Sequence, residues 1–297
     1  HSGWVFEPAR ELSPPRLPAD FLRDFDGLLG QAAAVGVRMW PVLLGFEFFG
    51  PLLRSTASVS SGGRSAFVFG RSGSEASIER FFDATLAPLL DVARARSSAV
   101  GAFEVMNEPD WAVRRNPFGF FGRGSIGPAA MGRFLVLGAR RIAEAGFLAT
   151  IGFTDAEPSW LARRERDELA RLGASGAYVH QLHHYPGTHR PRRLRPHAEL
   201  PIRPCIVGEL PSSLGTWGPS NHMRWEDAGL AETAADRFLI ERLALIERLG
   251  YPGAFVWGLH SRDGATSWSE GQESQIRQLV ARIRKGENGP QTGGDPR

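Results

Sequence analysis

The stretch GAFEVMNEPDWAV, residues 101–113, decides how this chain is read. An apolar run, Phe103, Val105 and Met106, closes on Asn107-Glu108-Pro109, with Asp110 and Trp111 directly behind it. Short apolar runs lying between helical patterns are what parallel strands look like when both faces are covered. A strand that ends in an amide, a carboxylate and a proline presents polar groups at its rim, and the proline fixes how the chain leaves. Period-two alternation puts Glu104, Met106 and Glu108 on one face, with Phe103, Val105 and Asn107 on the other. Glu104 is then a buried carboxylate in need of a partner, and Arg38 is one candidate.

Working outward, similar runs occur at Trp4–Phe6, Arg38–Leu44, Ala149–Phe153, Tyr178–His184, Cys205–Glu209 and Ala254–Leu259. Helical patterns separate them: Asp20–Val35, Glu75–Arg96 behind Ser74, Ala129–Ala145 behind Pro128, Ser159–Leu172 between Pro158 and Gly173, Asp227–Leu249 before Gly250, and about Glu270–Ile283. Proline at a helix start and glycine past its end are the expected punctuation. Seven strands alternating with helices, and no repeat of fixed period, predict an α/β fold, a (β/α)8 TIM barrel, over a single domain of residues 1–284. Residues 285–297 read as a flexible tail. No glycine-rich phosphate fingerprint follows the first strand, which speaks against a dinucleotide fold.

Composition narrows the function classes. The chain has 297 residues, 42% hydrophobic and 23% charged, the balance of a soluble globular protein. No apolar run is long enough for a membrane span. The formal charge of +3 is small, and the arginines are scattered over the helices. The densest basic run, HRPRRLRPH at 189–197, lacks interleaved aromatics and is broken by two prolines. It reads as a solvated loop, not a nucleic-acid surface. A single cysteine, Cys205, excludes an intramolecular disulfide and any CxxC metal motif. His180, His183, His184 and His189 invite a metal reading, but alternation sends His180 and His184 to the face opposite His183, so no metal site and no cofactor are expected.

Two loops behind strand ends are longer than connection requires: Phe46–Gly73, with Phe46, Phe48, Phe49, Phe67 and Phe69, and Trp111–Gly127, with NPFGFFGRG. Both follow strand C-termini, where barrel enzymes build their sites. Their phenylalanines suggest a narrowed or lidded cleft, or a ligand with an apolar part. A third, Pro211–Glu226, holds Trp217 and Trp225.

CIVGELP, residues 205–211, repeats the logic of the opening stretch: an apolar strand, a glutamate at the rim, a proline soon after. Two carboxylates on separate strand ends of one barrel are what glycoside hydrolysis with retention needs, one as proton donor and one as nucleophile.

Asn107-Glu108-Pro109, His183-His184-Tyr185, Gly208-Glu209 and Val256-Trp257-Gly258, in that order, resemble the clan A glycoside hydrolases, most of all the cellulase-like family 5. The resemblance runs from about residue 4 to 260. It implies Glu108 as acid/base and Glu209 as nucleophile, with no cofactor and a carbohydrate substrate. It further implies Asn107 on the sugar 2-hydroxyl, Tyr185 donating to Glu209, His183 lining the cleft and Trp257 as a stacking floor. Trp111 is open to two readings, a sugar platform or a loop cap; Glu47 is open between sugar ligand and solvated acid, and Glu7 is a more distant option. Relatives carry a further strand and helix ahead of the first run and an arginine supporting the nucleophile. Neither has a counterpart here, so missing N-terminal sequence, or another segment covering the gap, is expected to complete the barrel. A secreted or periplasmic location is what the resemblance favours, and the oligomeric state is open. A sugar-binding protein without turnover and a transglycosylase are the alternative functions.

Overall fold

In the computed structural model the described residues are 17–49, 68, 74–113, 126–184, 194–211, 234–257, 274, 276–278 and 281. The predicted run Trp4–Phe6 lies outside them. Six strands form one sheet in chain order: β1 (Val42–Gly45), β2 (Phe103–Asn107), β3 (Ala149–Phe153), β4 (Tyr178–His183), β5 (Cys205–Pro211) and β6 (Ala254–Trp257). The pairings of β1 with β2, β2 with β3 and β5 with β6 are parallel. Helices intervene: α1 (Ala19–Ala34), α2 (Glu75–Arg94), the single turn α3 (Pro109–Ala112), α4 (Pro128–Glu144), α5 (Arg163–Ala174) and α6 (Ala234–Arg248). Parallel strands added in chain order, with helices as crossovers, are the succession of a (β/α)8 barrel, of which these are six strands. No helix among the described residues is long and apolar enough to cross a membrane.

The described residues fall into two compact units. The first runs to Gln181 and includes Pro201–Cys205; the second comprises Leu182–Leu200 and the residues from Ile206 onward.

In the first unit, every residue of β3 is buried, as its unbroken apolar sequence requires. The stripe read on α2 is buried as Ile78, Phe81, Phe82, Leu86, Leu89 and Leu90. Phe82 stacks on Phe134 of α4 with ring centroids 4.9 Å apart, and Phe81 lies 6.0 Å from the same ring. Each such buried phenylalanine contributes about 1.5–3 kcal/mol relative to exposure. Phe48 and Phe49, expected in a rim loop, are instead buried in this cluster, Phe49 edge-on to Phe134 at 6.4 Å. Burial of two rings outweighs the polar context of the surrounding Gly/Ser stretch. Val68, described between them and α2, is buried there too.

Two boundaries differ from expectation for identifiable reasons. The run from Arg38 is broken at Pro41, which has no N–H for the ladder. Met39 therefore makes only an isolated bridge to Val100, and β1 begins at Val42. Helix α5 starts at Arg163, not Ser159, and runs past Gly173 to Ala174. The chain leaves it at Gly176, whose φ of +76° is the left-handed stop that glycine takes without strain. Gly173 lies inside the helix, at a position where a β-carbon would sit 2.3 Å from the Arg203 carbonyl oxygen. On the outer surface Glu168 of α5 binds Arg171 and reaches Arg140 of α4 at 3.0 Å. Arg171, and then Arg140, pull its carboxyl down to about 2.

In the second unit α6 ends just before Gly250, φ +79°. Tyr251 behind it donates its hydroxyl to the Arg195 carbonyl at 3.0 Å and packs edge-on against His197.

Candidate active site

Glu108 belongs to the first unit. Along the β2–β3 register, Glu104 faces Thr150 while Asn107 faces Gly152, so β2 carries one more residue than its partner over this span. A bulge of this kind re-aims the side chains that follow it. Strand geometry ends at Asn107, and Glu108 takes φ 50°, ψ 52°, the left-handed conformation. The expected alternation of Glu104, Met106 and Glu108 on one face therefore does not extend to Glu108. Its N–H donates to the Gly152 carbonyl at 2.7 Å, holding the strand end against β3. Asn107, half-buried, has Gly45 and Gly152 as its register neighbours.

Trp111, one turn beyond, donates its indole N–H to Glu108 Oε2 at 2.9 Å. The ring remains 43% exposed and tilts against Phe46, centroids 6.4 Å apart. It is thus neither simply a loop cap nor only a platform, since it also fixes one oxygen of the glutamate. Between them, Asp110 is buried and accepts the Thr154 N–H at 2.7 Å and the Trp160 indole N–H at 2.9 Å. Past α3, Val113 makes an isolated parallel bridge to Ile126.

Glu104 is buried, as expected, but Arg38 is exposed. The residue that reaches Glu104 is Gln181 of β4, whose Nε2 donates to Oε2 at 2.9 Å. On the same strand the buried His180 stacks against Phe153, centroids 5.1 Å apart. Its Nε2 lies 3.0 Å from the Ala156 carbonyl and its Nδ1 3.0 Å from the Tyr178 hydroxyl. A carbonyl only accepts, so Nε2 carries the proton and Nδ1 accepts from the phenol. Burial pushes the His180 pKa down to about 4, leaving a neutral ring. Burial also raises the Tyr178 phenol and pushes the Cys205 thiol up to about 12.

Glu209 belongs to the second unit. In the β5–β6 register, Val207 faces Ala254 and Leu210 faces Val256, so β5 also has one extra residue, over the span containing Glu209. Glu209 is buried, and Nδ1 of His183 lies 3.3 Å from its Oε2. A ring nitrogen facing a carboxylate carries its proton there. The His184 N–H donates to the Glu209 carbonyl at 2.9 Å, pinning the strand end from the β4 side. Burial, and then the charge of Arg242, lower the His184 pKa to about 4.

Tyr185, Trp217, Trp225 and Glu7 lie outside the described residues, as do the side chains of Glu47 and Trp257. Two residues were missed in the sequence, Asp110 and Gln181. Asp110 carried the only available signal, an acid two places beyond Glu108 and N-terminal in a helical turn. Gln181 carried none.

No protein-family model and no curated protein matches the chain. Among solved structures, it is similar to a psychrophilic glycoside hydrolase family 10 endo-β-1,4-xylanase, 15% identical, with a TM-score of 0.44 over 79% of this chain and 70% of that one. It is also similar to the mannanase catalytic domain from Streptomyces sp. SirexAA-E, 13% identical, with a TM-score of 0.39 over 97% of this chain and 96% of that one.

Proposed function

We propose that this chain is a retaining glycoside hydrolase acting on β-linked glycosides, of the clan A type and nearest to family 5 in its motifs. One observation carries the reading. Two glutamates, Glu108 and Glu209, each stand at the C-terminal end of a strand in a parallel sheet, each at a register irregularity, and each with a nitrogen donor at one carboxylate oxygen. Strand C-termini are where this fold carries out its chemistry, and bulges there are devices for aiming a side chain.

In this reading a Glu209 oxygen attacks the anomeric carbon while the glycosidic C–O bond breaks and Glu108 gives its proton to the departing oxygen. Water then loses a proton to Glu108 as its oxygen attacks the same carbon, releasing Glu209 and the sugar with retained configuration. His183 binds one Glu209 oxygen and so orients the nucleophile, and Trp111 binds one Glu108 oxygen and so orients the acid/base. Asn107, at the bulge beside Glu108, ligates the 2-hydroxyl. The exposed Trp111 ring offers an apolar face beside the acid for a sugar.

The test is a panel of aryl β-glycosides with Glu209→Ala and Glu108→Ala variants. The wild-type protein releases the aryl alcohol. Glu209→Ala loses this and regains turnover of a dinitrophenyl glycoside with azide, yielding the α-glycosyl azide of a single displacement. Full turnover in Glu209→Gln, or no release of aryl alcohol from any substrate, would sink the proposal.

A further inference from the structure

Glu108 breaks two local rules at once. A residue with a β-carbon in the left-handed region is strained, and a residue ahead of proline is biased toward extended backbone. Glu108 has φ 50°, ψ 52°, and Pro109 follows it. Among the described residues it is the only one other than glycine with positive φ. The backbone preferences of a non-glycine residue ahead of proline oppose that conformation, so contacts beyond residues 107–111 must help to hold it.

The ties are on the page. The Glu108 N–H is bound to Gly152 at the end of β3. Two residues later, Asp110 turns inward from α3 and uses both carboxylate oxygens on the β3–α5 connection. Oδ2 accepts the Thr154 N–H at 2.7 Å, and Oδ1 accepts the Trp160 indole N–H at 2.9 Å. Asp110 is only 5% exposed, so these bonds are made out of water and are costly to lose. Thr154 directly follows β3, and Trp160 packs against Phe153 with centroids 6.1 Å apart, so both anchors are themselves fixed to the sheet. The α3 turn begins at Pro109, with Glu108 as its cap, and Trp111, which holds Glu108 Oε2, stands on the same turn. Displacing α3 moves the backbone and the carboxylate of Glu108 together.

We infer that Asp110 is a positioning residue: by clamping the α3 turn to Thr154 and Trp160, it holds Glu108 in a left-handed backbone conformation and thereby aims its carboxylate. The inference rests on the reading of Glu108 as acid/base for its catalytic consequence, but not for the clamp itself.

A thermal-stability cycle tests the clamp without reference to activity. Glu108→Gly removes the β-carbon strain and raises Tm by about 2–4 °C in the otherwise native protein. In an Asp110→Asn background, where an amide NH2 faces one of the two donors, the turn relaxes and the same change raises Tm by less than about 1 °C. Trp160→Phe removes one of the two bonds, gives an intermediate coupling, and serves if Asp110→Asn does not fold. Additive effects of Glu108→Gly in both backgrounds overturn the inference. For catalysis, Asp110→Asn lowers kcat/KM on phenyl β-glycosides, whose leaving group needs a proton, at least about 10-fold more than on 2,4-dinitrophenyl β-glycosides, whose leaving group does not. Equal losses on both series reduce Asp110 to a structural residue. A coupled cycle with no turnover of any glycoside leaves the clamp standing and removes the glycosidase reading.

Discussion

Acidification should unload the core of the first unit through His180. The ring is buried, donates from Nε2 to Ala156 and accepts at Nδ1 from Tyr178, and burial lowers its pKa from 6.5 to about 4. In the unfolded chain it titrates near 6.5, so between these values the unfolded state binds the extra proton and stability rises with pH. The contribution is complete above about pH 6.5 and is lost as pH falls toward 4. The full depression corresponds to about 3 kcal/mol, of which about 2 kcal/mol is gone by pH 5. The assay is urea unfolding followed by tryptophan fluorescence from pH 7.5 to 4.5, for wild type and His180→Gln. Glutamine offers an acceptor and a donor in place of the two ring nitrogens but does not titrate. The difference in unfolding free energy between the two proteins should shift by about 2 kcal/mol in favour of the variant between pH 7.5 and 5. His184, also held at about 4, titrates in both proteins and cancels. Parallel pH profiles would refute the argument that burial keeps His180 neutral.

Gly173→Ala places a methyl 2.3 Å from a backbone carbonyl, which cannot rotate away, so helix α5 or the Arg203 turn must shift. A loss beyond the usual overpacking range of about 1–3 kcal/mol is expected in denaturant melts. Gly138→Ala meets side chains instead, Val105 at 2.7 Å and Phe82 at 2.9 Å, and should cost about 1–3 kcal/mol because those can partly give way. Phe134→Ala empties the centre of the ring cluster with Phe49, Phe81 and Phe82 and should cost about 3–5 kcal/mol by the same measurement. Cys205 is buried with its thiol at about 12, so a disulfide reagent at pH 8 should label it only at the rate of unfolding.

The sheet was legible because each strand is a local pattern. Ala149–Phe153 has the same bounds in sequence and structure, and the runs at 103, 178, 205 and 254 each begin where a strand begins. Helix positions followed from stripes such as Phe81, Phe82 and Leu86, which repeat at helical spacing whatever they pack against. The two glutamates were legible for the same reason: a carboxylate closing an apolar run before a proline needs no distant information to be recognised.

What surrounds them needed the tertiary structure. Local preference at Glu108-Pro109 points to extended backbone, yet the chain is left-handed there because hydrogen bonds to β3 and the β3–α5 connection override that preference. Arg38 is a fair partner for Glu104 by charge, but the sheet brings up Gln181 of β4, two strands over and 77 residues away. Phe48 and Phe49 looked like rim residues by their neighbours in sequence and are core residues by their neighbours in space. By itself, then, the sequence determined the elements and the chemistry offered at strand ends, since both depend on spacing within a few residues. Which groups meet was decided only when interstrand hydrogen bonds set the register, because one extra residue in β2 or β5 changes where every following side chain points.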